Sequence, residues 1–387
     1  MNWKEKALCL FALFLPLEQL LLYVFGIDTE LKPYRIFLIF AFTLTFLDKS
    51  FIHYKLNFVF KSFLFIFLYG LLVGLLRISA SKGEMSYLTN GATHFVIGMI
   101  IFYLISNIKN VKMLHRIGSY FISGIIISSL FGIYYYVLGV FDYRLRGGFN
   151  NPNHLAITIN LITPFLIYKM KYTSKKKINL FIIFFLSTIV LFTGSRTGVL
   201  AQSINLLFLV YIMKKKIASI LPGILVSMGI FYFYLTPYLN NKTSLLNRFE
   251  SSNYKTGSGR FDIIDAAINL GVDTYFSGVG IGQYRFYHLD YVSANAYQTV
   301  LNYTLTTHNH YLDLLVNYSL LSLLIYFLIL IIIKNNLNKI VIKDYRKIAL
   351  LFFIIFIITS ASQEMFIFPI FWVSVSLLTV KINQKLE

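Results

Sequence analysis

Apolar runs of near-span length, separated by short stretches rich in lysine, recur along the whole chain and constrain its fold more than any other feature. Crossing a bilayer takes about 20 apolar residues, with a range near 17–25. Twelve segments are read as candidates: residues 7–25, 34–47, 58–76, 88–106, 117–140, 154–168, 178–193, 199–213, 217–236, 310–333, 348–363 and 365–380. The composition excludes a soluble alternative. Of the 387 residues, 57% are hydrophobic and only 13% are charged, against about 25% charged in an ordinary soluble domain. With 38 Phe and 28 Tyr, a soluble fold of this size could not hide its apolar surface. The first run lacks a small-residue cleavage site and a second follows at once, so it reads as a retained span rather than a signal peptide. Cys9 is the single cysteine, so no internal disulfide is possible.

The net charge of +19 reads as topology rather than nucleic-acid binding, because cytoplasmic loops collect Lys and Arg. With the N-terminus placed inside, the inner segments carry Lys4 and Lys6, Lys49 to Lys61, Lys109 to Arg116, Lys169 to Lys177, Lys214 to Lys216, Lys334 to Lys347, and Lys381 with Lys385. The outer segments carry about half as many. The expectation is an all-α polytopic membrane protein of about twelve transmembrane helices, a single integral membrane domain over residues 1–387, with both termini cytoplasmic. The 348–380 pair is its weakest part, because Gln363, Glu364 and Pro369 interrupt the apolar run.

One long extracytoplasmic loop, residues 237–307, carries Tyr238, Tyr254, Tyr275, Tyr284, Tyr287, Tyr291, Tyr297 and Tyr303. Loops of this length usually have a function. Within it, residues 259–270 read as a short amphipathic helix, with Ser258 as cap, Phe261, Ile264, Ala267 and Ile268 as one apolar face, and Gly271 as its end. Such a helix suits a position flat on the membrane surface.

Three helix N-termini then face outward, and a helix N-terminus offers free N–H groups and partial positive charge to an anion. The first follows Arg146-Gly147-Gly148-Phe149-Asn150-Asn151-Pro152-Asn153. Asn151 can be its N-cap and Pro152 its first helical residue, which leaves Arg146 beside two glycines unexplained. The second follows Thr193-Gly194-Ser195-Arg196-Thr197-Gly198. The spans around it are short, so these turns are expected to dip below the outer surface, where irregular backbone must line a cavity. Arg196 either binds an anion there or snorkels to lipid headgroups. The third opens with Thr306-Thr307-His308-Asn309-His310-Tyr311. A histidine in a first helical turn is discouraged from being cationic and can accept a proton; the plainer reading of His308 and His310 is an interfacial anchor. Arg260 opens the loop helix, where a cation is locally unfavourable, unless Glu250 or Asp262 pairs with it. Glu18, inside the first span, is a suspect by position alone. The stretch Gly278-Val279-Gly280-Ile281-Gly282 lacks a surrounding βαβ unit, so a nucleotide site is rejected. No dense cluster of carboxylates is seen outside, so no metal and no cofactor are indicated.

The three segments, with a long outer loop before the third, resemble the O-antigen ligase/polymerase family. The resemblance lies in Arg146 to Asn153, Ser195 to Gly198 and His308 to Leu312, and in the Gly-x-Gly-x-Gly stretch before the histidine. It covers residues 140–320 in its motifs and the whole chain in topology. It implies a GT-C-like integral membrane glycosyltransferase that takes a glycan from undecaprenyl diphosphate at the outer face of the bacterial cytoplasmic membrane, without nucleotide sugar or metal. The implied partners are the lipid-linked glycan, an acceptor glycan on a lipid-linked repeat unit or on lipid A–core, membrane lipids and a chain-length regulator. His308, Arg196, Arg146 and Arg260 are then the expected catalytic residues, and Asn151, Asn153, Ser195, Asn309, Tyr311 and Arg285 the expected substrate-binding ones. Physical chemistry agrees: arginine grips phosphate oxygens in bidentate fashion, and converging donors stabilise a departing diphosphate. A lipid-linked-glycan transporter and a membrane scaffold are the readings of other classes.

Overall fold

The computed structural model describes residues 2–19, 22, 32–47, 57–108, 110–138, 144–173, 175–213, 259–293 and 305–380. Every regular element among them is helical: α1 (Trp3–Phe14), α2 (Pro33–Leu47), α3 (Phe58–Ser79), α4 (Met85–Ser106), α5 (Val111–Val137), α6 (Pro152–Tyr172), α7 (Lys176–Phe192), α8 (Arg196–Met213), α9 (Arg260–Asp273), α10 (Tyr284–Tyr291), α11 (His310–Asp313), α12 (Leu320–Asn338), α13 (Lys343–Ser360) and α14 (Pro369–Thr379). Five of these, α3, α4, α5, α8 and α12, are long and apolar enough to cross a membrane. The chain is a polytopic membrane protein, helical throughout its described elements. The expected span at 217–236, Ser258, Glu250 and the loop tyrosines Tyr238, Tyr254, Tyr297 and Tyr303 lie outside the described residues.

Local chemistry sets several boundaries differently from the hydropathy pattern. The first apolar run is not one helix over 7–25: α1 ends at Phe14 and a 3₁₀ turn, Leu15–Leu17, follows around Pro16. Proline lacks the N–H an α-helix needs. The run 154–168 is not short, because α6 spans 21 residues, about 31 Å at 1.5 Å per residue. Its polar last turn, with Lys169 and Lys171, hid that length. The run 310–333 is broken: α11 passes into a π-helical stretch, Leu314–Tyr318, and the chain turns at Ser319, φ +148°, before α12 begins. Ser319 Oγ accepts the Ser322 N–H at 3.1 Å and so caps α12.

A seam of buried polar side chains locks α6, α7 and α8 together. Asn160 Nδ2 donates to the Gly198 carbonyl at 2.9 Å, Asn205 Nδ2 to the Asn160 carbonyl at 3.0 Å, and Gln202 Nε2 to Ser187 Oγ at 2.7 Å. In an apolar surrounding such bonds fix register, because the alternative is an unmatched polar group. Gly198 permits the close approach; a Cβ there would stand 2.7 Å from Ala156 Cβ. The N-terminal ends of α6 and α8 are thereby held side by side.

Candidate active site

All the irregular backbone described here that bears on the site collects at one end of the bundle. There the turn 193–195 is buried within the protein. Arg144 ties it down: its Nε donates to the Thr193 carbonyl at 2.5 Å and its Nη2 to Asn153 Oδ1 at 2.7 Å. The sequence reading passed over Arg144 in favour of Arg146, two residues on. Arg146 is half-buried in the bend before α6, and its carbonyl accepts the Phe149 N–H at 3.3 Å. Asn151 caps α6 by accepting the Asn153 N–H at 2.9 Å. Ser195 Oγ accepts the Gly198 N–H at 3.2 Å in the first turn of α8. Asn309 accepts from the N–H groups of Tyr311 and Leu312 at 2.9 and 3.2 Å. Tyr311 turns away, donating its hydroxyl to the Ile357 carbonyl at 3.2 Å. His310 is fully buried in a box of Tyr326, Phe366 and Phe371 rings.

The cations converge. Arg196 is the first residue of α8 and Arg260 the first of α9, and they lie close enough that Arg196 acts electrostatically on Arg260. Burial first, and the Arg196 charge second, hold the Arg260 guanidinium below its ordinary value. His308 lies in range of Arg260 and Arg285, in the left-handed region at φ +46°. That conformation costs a non-glycine residue about 1–3 kcal/mol and persists only where surroundings impose it. Burial, then the charges of Arg260 and Arg285, push its imidazole down to about 4, and Gln363 hydrogen-bonds it. A neutral ring was expected, but from the helix dipole; burial and two arginines are the actual causes. His154, in the first turn of α6, also lies within electrostatic range of His308.

The face that α9 buries differs from the apolar face expected of it. Its buried face is Ile263, Ala266, Ala267 and Leu270, while Phe261 and Ile268 are exposed; it runs to Asp273, past Gly271. That face packs with Val279, Tyr284 and Val316. Tyr284 clamps it by donating its hydroxyl to the Ile263 carbonyl at 3.1 Å. The Gly-x-Gly-x-Gly stretch anchors the unit to the bundle. Val279 and Gly280 N–H donate to the Val316 and Asn317 carbonyls at 2.9 and 2.8 Å, which the broken helix leaves free. Gly280 has φ +104°, and a Cβ on it would stand 2.2 Å from Gly74 Cα. Only glycine fits there.

Sequence reading missed two acids. Asp313 and Glu364 are buried and within hydrogen-bonding reach of each other, Thr306 bonds Glu364, and the Arg285 charge acts on both. The signal was present: Gln363 and Glu364 interrupt an apolar run, and the interruption was read as a weak span rather than as part of a site.

Three arginines, a neutral histidine and a buried acid pair at one helix-lined end suit a polyanion and a hydroxyl to be deprotonated. Residues 181–327 match the family model for O-antigen ligase. This agrees with the resemblance to the O-antigen ligase/polymerase family carried by the three segments. The matched stretch holds Arg196, Arg260, Arg285 and His308 together; Arg146 and Asn151 precede it. The family is one of glycosyl-transferring membrane enzymes. No curated protein matches the chain.

Proposed function

We propose that the protein is a membrane glycosyltransferase moving a glycan from undecaprenyl diphosphate to an acceptor sugar at the outer face of the bacterial cytoplasmic membrane, as an O-antigen or capsule repeat-unit polymerase. About twelve spans, a GT-C-like arrangement within one integral membrane domain and cytoplasmic termini belong to this reading. The site end, with Arg196, Arg260 and His308, then faces outward, and the ends bearing Lys171 and Lys347 face the cytoplasm. The single observation that carries it is the placing of Arg260 and Arg285 about a neutral His308, with Arg196 in electrostatic range of Arg260.

In this reaction the acceptor hydroxyl oxygen bonds to the donor sugar's anomeric carbon as the bond from that carbon to the phosphate oxygen breaks. His308 takes the hydroxyl proton, and the lipid diphosphate departs with the bonding electron pair. Arg196, Arg260 and Arg285 stabilise the charge it gains, the kind of electrostatic work that can supply the largest catalytic share, and Arg146, in the bend before α6, holds the same diphosphate. Tyrosines of 237–307 guide the glycan, a ring face suiting a sugar face. Membrane lipids and a chain-length regulator are the remaining partners.

The printed description of the matching family, O-antigen ligase, favours a second reading, transfer to lipid A–core. A knockout followed by a glycan gel separates the two. Single-repeat products mark a lost polymerase, and long lipid-linked chains missing from lipid A mark a lost ligase. Unaltered glycans contradict both.

A further inference from the structure

Beyond the arginines and His308, we infer that Asp313 and Glu364 hold one proton between them, and that the single negative charge left on the pair positions the Arg285 guanidinium beside His308. They are positioning residues for the transfer site and rest on the glycosyltransferase reading. Both are buried, at 2% and 9% exposure. Two adjacent carboxylates sheltered from water cannot both ionise without strong repulsion, so one retains a proton. The hydrogen bonds around the pair agree. Asp313 Oδ1 accepts from Asn317 Nδ2 at 2.5 Å and Thr306 serves Glu364, yet Glu364 Oε2 finds no donor. A proton shared across the pair supplies it.

The charge that remains has one evident counterpart. Arg285 acts on Asp313, on Glu364 and on His308. Among the described residues, the other titratable or charged groups near the pair include Tyr318, which feels both acids, and His308 with Arg260 and His288 beyond it. With both acids neutral, Arg285 would stand uncompensated among cations. With both ionised, the pair would hold it too firmly for a diphosphate to compete. Asp313 also fixes the backbone that carries Arg285: Asn317, which donates to Asp313, accepts the Tyr284 N–H at 2.8 Å through its own Oδ1, and Tyr284 is the first residue of α10. Guanidinium and helix end are thus set by the same acid.

Infrared spectroscopy of the purified protein at neutral pH tests the shared proton without requiring turnover. In a Glu18→Gln background, which removes another carboxyl held inside the protein, a protonated-carboxyl C=O band should be present, and should vanish when Asp313→Asn or Glu364→Gln is added, since either leaves a lone carboxylate beside Arg285. Kinetics test the positioning. Each single variant keeps one negative charge and should raise donor KM by about tenfold, while the neutral double variant should raise it by a hundredfold or more, as expected when a buried charge loses its partner. Thermal unfolding of each variant confirms that it folds. A band that persists in both single variants, or single variants as damaged as the double, overturns the inference. If the unaltered protein transfers no glycan, the proposed function fails while the band still judges the pair.

Discussion

The two ends of the bundle are built on different principles. At the site end the backbone is irregular, with φ positive at Gly147, Gly194, Gly278, Gly280, Gly282 and His308. Its cations there, Arg196, Arg260 and Arg285, stand beside buried polar side chains. At the opposite end the helices are regular and the cations are mostly lysines. Lys169 donates to Ser119 Oγ at 3.0 Å, Lys171 pairs with Asp344 at 2.5 Å, and Lys347 donates to the Tyr211 hydroxyl at 2.9 Å. Between the helices there lies a largely apolar cavity of about 610 Å³, with Phe121, Phe165, Tyr345 and Phe352 among its lining. A lysine is a hydrated point charge on a flexible stem, whereas arginine presents a rigid fork to phosphate. The contrast teaches that charge alone does not mark a site; charge held by over-determined backbone does.

The largest effect that can break this contrast is at the arginines. Arg196→Ala or Arg260→Ala should lower glycan transfer by about 10²–10³-fold or more, the scale of losing a preorganised donor to a developing anion, measured by product ladders at matched expression. Lys171→Ala at the other end should leave the ladders unchanged. Equal losses at both ends would erase the distinction.

His308→Ala should lower the rate by about 10²-fold or more if the ring is the general base, and an unchanged rate removes it from that role. The pH dependence sharpens the point. With its imidazole pushed down to about 4, His308 is already neutral from pH 5 upward, so kcat/KM should show no acid limb near the ordinary histidine value. The stability sign follows from the same shift. The unfolded ring, with a value of about 6.5, binds more protons than the native one between the two values, so stability should rise with pH across that window and fall as pH drops through it. A thermal-unfolding series over pH reads this against His308→Gln.

Backbone substitutions come next. Gly280→Ala must overcome both φ +104° and the contact with Gly74. It should cost about 1–3 kcal/mol and loosen the α9–α10 unit, seen as a lower unfolding temperature and as protease cleavage within that unit. The smallest effect is expected at the partly exposed Lys171–Asp344 pair, where Asp344→Asn should leave the unfolding temperature within error.

Much of the site was legible because its chemistry cannot be built from other residues. Arg196 and His308 stand out as polar interruptions of apolar sequence, and Arg260 as a cation in an unfavourable helical position. Asn151 was legible as a cap and does cap α6, whereas Ser195 and Asn309, expected to bind substrate, spend their side-chain oxygens on backbone N–H groups at the starts of α8 and α11. The role of Arg144 and the pairing of Asp313 with Glu364 were not legible, although Glu364 itself interrupts an apolar run, because each depends on contacts between segments far apart in sequence. Arg144 reaches Thr193, and Asp313 meets Glu364 only because α11 ends in a π-helical break beside the turn after α13. That break carries no hydropathy signal: Leu314 to Tyr318 reads as ordinary span. The buried face of α9 was misassigned because its apolar residues encircle the helix, and only the packing of Ile263 and Leu270 on Tyr284 and Val316 chooses the inner side.

The most direct test of the central claim uses purified protein in liposomes supplied with an undecaprenyl-diphosphate-linked glycan and an acceptor, comparing the unaltered chain with Arg196→Gln. New glycosidic bonds formed by the first and none by the second, both folded, is the expected result. Glycan carried across the bilayer with no bond formed, or identical products from both proteins, would contradict it.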